Sequence, residues 1–321
     1  MKRTDFGRIL WGIILVFATV LTWTVVQADD FYVIAAGKKA KRTVLVSPKN
    51  TPTQSGESLL SAISGITDAS ADNPYLIIIE PGVYDIGTSS FVMKPYVDVQ
   101  GSGEDVTKIT GSVSNIPPAE KVGVVEGANH AELRFLTVEN TGTSTMVVAI
   151  RNDGTSPVLS FVTATVKGGY YRMGVSNNAS SARLRNVTIS INHTGSSGQG
   201  YGVQNEGASN VTMENMTIEV NGTTTYNFGV DNKDTSTATM RNVDMTVTGD
   251  ATYSCALQNI GTATAEHCVL AGPNWLYNNG HVYVANSRLE GTIRYNNNVI
   301  VCAGVFDDSY TFYPSTCPGS P

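Results

Sequence analysis

Six residues whose side chains could hold a sugar or move a proton recur along the second half of the chain: Arg151, Ser176, Gln204, Asp231, Gln258 and Tyr277. Each stands one place before an asparagine, and the first five each follow a small residue, Ala149, Gly174, Gly202, Gly229 or Ala256, by two places. A flat floor of small residues flanked by amides, an acid and an aromatic edge could receive an extended polysaccharide, acidic or neutral. Asp231, between Gln204 and Gln258, is then the one catalytic candidate, with Arg151, Gln204, Gln258 and Tyr277 as further sugar contacts. A column of strand residues facing water is polar for solubility alone, so the same residues also describe a solvated scaffold.

The elements that must position them follow from the spacing. Asn152, Asn177, Asn205, Asn232, Asn259 and Asn278 are separated by 25, 28, 27, 27 and 19 residues, with a further rung near Asn296. A second column runs in step, as Leu133-Arg-Phe-Leu-Thr-Val, Leu159-Ser-Phe-Val-Thr-Ala, Leu184-Arg-Asn-Val-Thr-Ile, Met213-Glu-Asn-Met-Thr-Ile and Met240-Arg-Asn-Val-Asp-Met. Each unit holds short strands with alternating apolar positions, separated by Gly, Asn, Ser and Thr turns. Strands this short cannot bury a core alone, but stacked coils can. The pattern predicts an all-β parallel β-helix whose coils rise about 4.8 Å each, with the asparagines forming a structural ladder.

Asn186, Asn215 and Asn242 recur where a corner is expected, because asparagine tolerates the left-handed conformation and its amide can bond the next rung. Six N-x-S/T sequons lie within residues 178–223. Those at Asn186 and Asn215 fall on this corner or inside it, where a glycan would not fit, so the sequons read as by-products of turn composition. A second face carries Thr137, Thr163, Thr188 and Thr217 beside Arg185, Glu214 and Arg241. It reads as a wet strand surface with a charge ladder.

Upstream, Leu59, Leu60, Ile63 and Ile66 have helical spacing within 55–69, with Ser55 as N-cap. A short helix there would cap the open first coil. Tyr75-Leu-Ile-Ile-Ile-Glu80 reads as a strand buried on both faces, and one solenoid domain over 29–306 accounts for most of the chain.

The 321 residues carry 21 basic and 27 acidic side chains for a net charge of −6, without the basic footprint of a nucleic-acid binder. Lys2, Arg3 and Arg8 precede an apolar run over 9–26, and Val26-Gln27-Ala28 offers small residues for cleavage. Residues 1–28 thus read as a secretory signal, or as an uncleaved anchor, and place the chain outside the cell, on its surface or in the periplasm. An even set of cysteines fits that compartment. Cys302 with Cys317 would staple the tail over 307–321, while Cys255 and Cys268 either pair or stay buried as thiols. No Cys-x-x-Cys or Cys/His cluster occurs, so no metal and no cofactor is expected, and His130, His193, His267 and His281 fall on separate rungs.

The stretch 58–111, with Leu76-Ile-Ile-Ile-Glu-Pro-Gly-Val-Tyr84, Val99-Gln-Gly-Ser-Gly103 and Lys108-Ile-Thr-Gly111, resembles the entrance of pectin methylesterases and related pectin-lyase-like proteins. Phe135-Leu-Thr-Val-Glu-Asn-Thr141 and Val148-Ala-Ile-Arg151 extend the likeness to about half the chain. The resemblance implies a right-handed parallel β-helix. That family's chemistry sits in Q-A-V-A-L-R, Q-D-T-L-Y, V-D-F-I-F-G and L-G-R-P-W segments. Here Met146 stands at the first Gln, Tyr171 and Arg172 at the second Gln and the acid, and Gly200 at the nucleophile, with no counterpart of the fourth segment. A fold without the esterase machinery is the expectation. Paired carboxylates for hydrolysis and an acidic calcium cluster for elimination are missing from neighbouring rungs too. The reading is an exported scaffold or polysaccharide-binding module. Its alternatives are a carbohydrate-active enzyme, esterase-like or polyuronate-lyase-like, with a divergent site at Asp231, and an oligomeric surface-adhesion or fibre component.

Overall fold

The computed structural model describes residues 42–115, 120–193, 198–222, 226–250 and 252–319, so the signal-like segment and residues 29–41 lie outside the described residues. Among these are twenty-four strands and one helix. The strands wind into a parallel β-helix with three faces, each a parallel ladder running the length of the molecule.

The first face is set by an inward column whose members are all register partners: Leu133, Leu159, Leu184, Met213, Met240, Ala265, Val284 and Cys302. All are buried, which is why this column repeats so plainly in the sequence. One left-handed residue then turns the chain onto the second face, with φ between 50° and 55° at Phe135, Phe161, Asn186, Asn215, Asn242, His267 and Asn286. The asparagines behave as expected there: Asn242 Nδ2 donates to Asn215 Oδ1 (3.1 Å) and Asn215 Nδ2 to Asn186 Oδ1 (3.3 Å). This corner points outward, however, and Asn215 and Asn242 are exposed, so burial does not exclude a glycan at Asn215.

The third face carries the asparagine ladder. Asn152, Asn177, Asn205, Asn232, Asn259 and Asn278 are fully buried, and each amide donates to the next carboxamide oxygen at 2.8 to 3.4 Å, ending on Asn296. Placing these amides inside costs little because each is passed a partner by its neighbour.

Strand alternation breaks once per coil on this face, next to the small residues. Val175, Val203 and Val230 belong to the core, yet a Cβ at Gly174 or Gly202 would come within 2.4 Å of Ile189 or Ile218 Cγ2, and one at Gly229 within 3.0 Å of Met245 Sδ. The small column therefore faces inward. It is small because the second face closes on it, and it is no floor for a ligand.

Both ends are closed. The helix runs Pro52–Gly65, three residues earlier than its apolar spacing suggests, because Thr51 is the N-cap (Oγ1 accepting from Gln54 N at 3.2 Å) and Pro52 is pre-set for a first turn. It buries Leu59 and Ile63 and lies so close to the strand Gly82–Asp85 that a Cβ at Gly56 would be 2.0 Å from Asp85 O. The strand Tyr75–Ile79 alternates buried and half-buried residues, so it is buried fully on one face only. At the other end, Val305–Phe306 pairs antiparallel with Phe312–Tyr313, and a Cys302–Cys317 disulfide ties the tail back. The buried Trp275 donates Nε1–H to Pro318 O at 3.3 Å. Cys255 and Cys268 are buried free thiols.

Candidate functional site

Arg151, Ser176, Gln204, Asp231, Gln258 and Tyr277 form one column on the outer side of the third face, continued by Tyr295. The six residues grouped by their spacing thus do stand together, one per coil. Their environment is not the open surface expected of a ligand platform. Ser176, Gln204 and Asp231 are 1%, 1% and 0% exposed, and only the two ends of the column reach water.

What closes the column is Lys121, which precedes Gln204 by 83 residues. Its ammonium donates to Gln204 Oε1 at 2.7 Å and pairs with Glu206. Lys233 covers the next coil, with Nζ 3.5 Å from Asp231 Oδ2 and 5.8 Å from the centre of the Tyr201 ring. Asp231 Oδ2 also accepts from Gln204 Nε2 at 3.0 Å, whereas Oδ1 has no hydrogen-bond partner. Burial raises the Asp231 carboxyl above its ordinary pKa, against the pull of Lys233. Burial lowers the Lys121 ammonium, against the pull of Glu206. Arg151 is fully committed to carboxylates, at 3.2 Å from Glu126 and 2.7 Å from Asp153.

Beside this polar column runs a feature the sequence reading missed. Val148, Met173, Tyr201, Phe228 and Cys255 are register partners that form a second apolar cluster, separate from the core, with Tyr171 and Tyr277 packed on it. Tyr201 stacks on Phe228 with centroids 5.3 Å apart, and Tyr277 on Tyr295 at 5.0 Å. Tyr226 meets Tyr253 edge-on at 4.4 Å, and Tyr170 meets Tyr171 at 4.8 Å. The Arg294 guanidinium joins two of these groups, 4.5 Å from the Tyr253 ring and 5.2 Å from Tyr277. Tyr170, Tyr226, Tyr253 and Tyr295 are exposed, so the band reaches solvent. Its signal in the sequence is faint, because Tyr253 sits at a turn and Tyr226 follows Gln199, not another ring, in the repeating register.

The fold implied by the sequence resemblance is the fold observed. Solved structures of similar shape include pectin methylesterase PemA from Erwinia chrysanthemi (12% identity, 88% of this chain and 86% of that one, TM-score 0.47). Others are a mannuronan C-5 epimerase A-module from Azotobacter vinelandii (13%, 81% and 79%, 0.43) and the pectin methylesterase from carrot (15%, 78% and 73%, 0.41). No family model and no curated protein matches the chain.

Of the positions that the resemblance aligns with esterase chemistry, Arg172 and Gly200 are turned into the solenoid, whereas Tyr171 packs on the outer cluster. Arg172 and Gly200 are register partners, Arg172 is 2% exposed with its pKa lowered by burial to about 10, and a Cβ at Gly200 would meet Val220 Cγ1 at 2.6 Å. Among the described residues no cluster of His, Cys, Asp and Glu could hold a metal ion. His130 stacks on Tyr96 with centroids 4.9 Å apart, and His267 occupies a left-handed corner.

Proposed function

We propose that this chain is an exported, non-catalytic β-helix module that binds polysaccharide along the outer side of its third face. One observation carries the reading: the continuous band from Tyr170 to Tyr295, with Arg294 wedged between rings. Ring faces of this kind offer a flat apolar surface with an electron-rich centre. The C–H face of a pyranose ring packs on such a surface without burying its hydroxyls. Rings on successive coils repeat the platform along the axis, which suits an extended chain rather than a compact ligand.

A scaffold role accords with the way the polar column is closed. Its one carboxylate, Asp231, is covered, and Arg151 is spent on Glu126 and Asp153. The Cys302–Cys317 disulfide supports an oxidising compartment and, with the signal-like residues 1–28, export.

Affinity electrophoresis of residues 29–321 against polygalacturonate, methyl-esterified pectin, alginate, glucan and xylan tests this, alongside a product-release assay on the same panel. Binding to at least one chain is expected, without products, and weakened at least tenfold by Tyr253→Ala together with Tyr295→Ala. Equal binding by that double variant, or no binding across the panel, would sink the reading. Product release that vanishes in Asp231→Asn would establish the enzymatic alternative.

A further inference from the structure

Asp231 presents a contradiction that the binding surface alone does not explain. A buried carboxylate oxygen left without a donor costs about 1 to 3 kcal/mol. Gln204 gives one hydrogen to Oδ2 and takes one from Lys121, and Lys121 also holds Glu206. Lys233 has three N–H donors on a side chain one third exposed, and its Nζ lies 3.5 Å from Oδ2. The site therefore holds a buried acceptor that lacks a donor, Asp231 Oδ1, beside a partly exposed ammonium, Lys233 Nζ, that already reaches the other oxygen of the same carboxylate.

We infer that Asp231, Gln204 and Lys233 form a recognition pocket for a hydroxyl of an uncharged sugar, which donates to Asp231 Oδ1 and accepts from Lys233 Nζ. A hydroxyl is the group that supplies both halves of this exchange from one atom. Charge selects against the alternatives. Lys121 and Lys233 are balanced by Glu206 and Asp231, so the pocket offers no surplus positive charge to a uronate and no surplus negative charge to an amino sugar. Lys233 is one third exposed on a flexible stem, so it is the part that swings aside to admit the ligand. Tyr201, over which it lies, belongs to the aromatic band, so a chain on the rings passes the pocket mouth.

This inference rests on the proposal that the third face binds polysaccharide. The experiment is calorimetric titration of the full mature chain, residues 29–321, with neutral xylo-, cello- and galacto-oligosaccharides and with oligogalacturonate. The wild type, Asp231→Asn, Lys233→Met and Tyr295→Ala are compared, with thermal melts confirming that each is folded. A neutral oligosaccharide is expected to bind more tightly than oligogalacturonate and to lose about tenfold in affinity in both Asp231→Asn and Lys233→Met. If a neutral chain binds and Tyr295→Ala weakens it while both pocket variants bind as the wild type does, the pocket is wrong and the surface stands. Tighter binding of oligogalacturonate overturns the pocket as well. If nothing binds the wild type, the surface reading itself fails.

Discussion

Asp231 and Asn232 are neighbours in one strand, both wholly buried, and they sit in opposite circumstances. Asn232 faces the inside of the coil, where its amide reaches Asn259 Oδ1 and the Ser236 and Thr262 carbonyls while its own oxygen accepts from Asn205. Asp231 faces outward beneath two lysines with one oxygen unserved. A polar group repeated on every coil is satisfied by its own copies. One that occurs once must find partners elsewhere, and at Asp231 the protein supplies only part of them. The first kind of burial belongs to architecture, and the second is the one the proposed sugar site draws on.

Breaking the satisfied member should have the largest effect. Asn232→Leu removes the middle of the ladder and leaves Asn205 and Asn259 with interrupted partners, so about 4 kcal/mol of stability should go, read as a lowered thermal midpoint. A midpoint shift too small for a single surface contact would show that the ladder is decorative.

Asp231→Asn sharpens the contrast from the other side. Because burial raises its pKa, the native state holds this proton more tightly than the unfolded chain does. Stability at this site is therefore greatest below the ordinary carboxylate pKa, and it falls as pH rises toward the native value. The substitution should raise the melting midpoint at pH 7 and flatten that decline, checked by melting midpoints between pH 4 and 8. A variant that loses stability at pH 7 would mean that the Lys233 pair outweighs the buried charge.

The smallest effect belongs to the exposed asparagines. Asn242→Ala at the outward corner keeps the left-handed turn but loses the residue that tolerates it, for about 1 kcal/mol. A loss equal to that of Asn232→Leu would erase the distinction between the two asparagine columns.

The same distinction explains what could be read before any coordinates. Leu159, Leu184 and Met213 repeat because each meets its own kind above and below, and the Asn152 to Asn278 ladder repeats for the same reason, so the coil and its register were legible. The Cys302–Cys317 staple was legible from parity and position. Outward residues answer to partners that do not repeat. Nothing in the spacing of Gln204 and Asp231 announces that Lys121 and Lys233 will cover them. The direction of Gly174 and Gly202 was equally hidden, because a break in strand alternation turns them toward Ile189 and Ile218. The helix starts ahead of its first apolar residue because Thr51 and Pro52 cap it there, which the apolar spacing does not register.

The two closed ends give the molecule a property of rulers. The capping helix meets only the first coils, and the Cys302–Cys317 tail meets only the last, so neither senses how many coils lie between. Each coil adds about 4.8 Å of length and joins its neighbours through the same inner amides. Gain or loss of a whole coil would thus change how far the chain reaches, and how many rings it displays, while leaving both caps and every inner contact of the same kind.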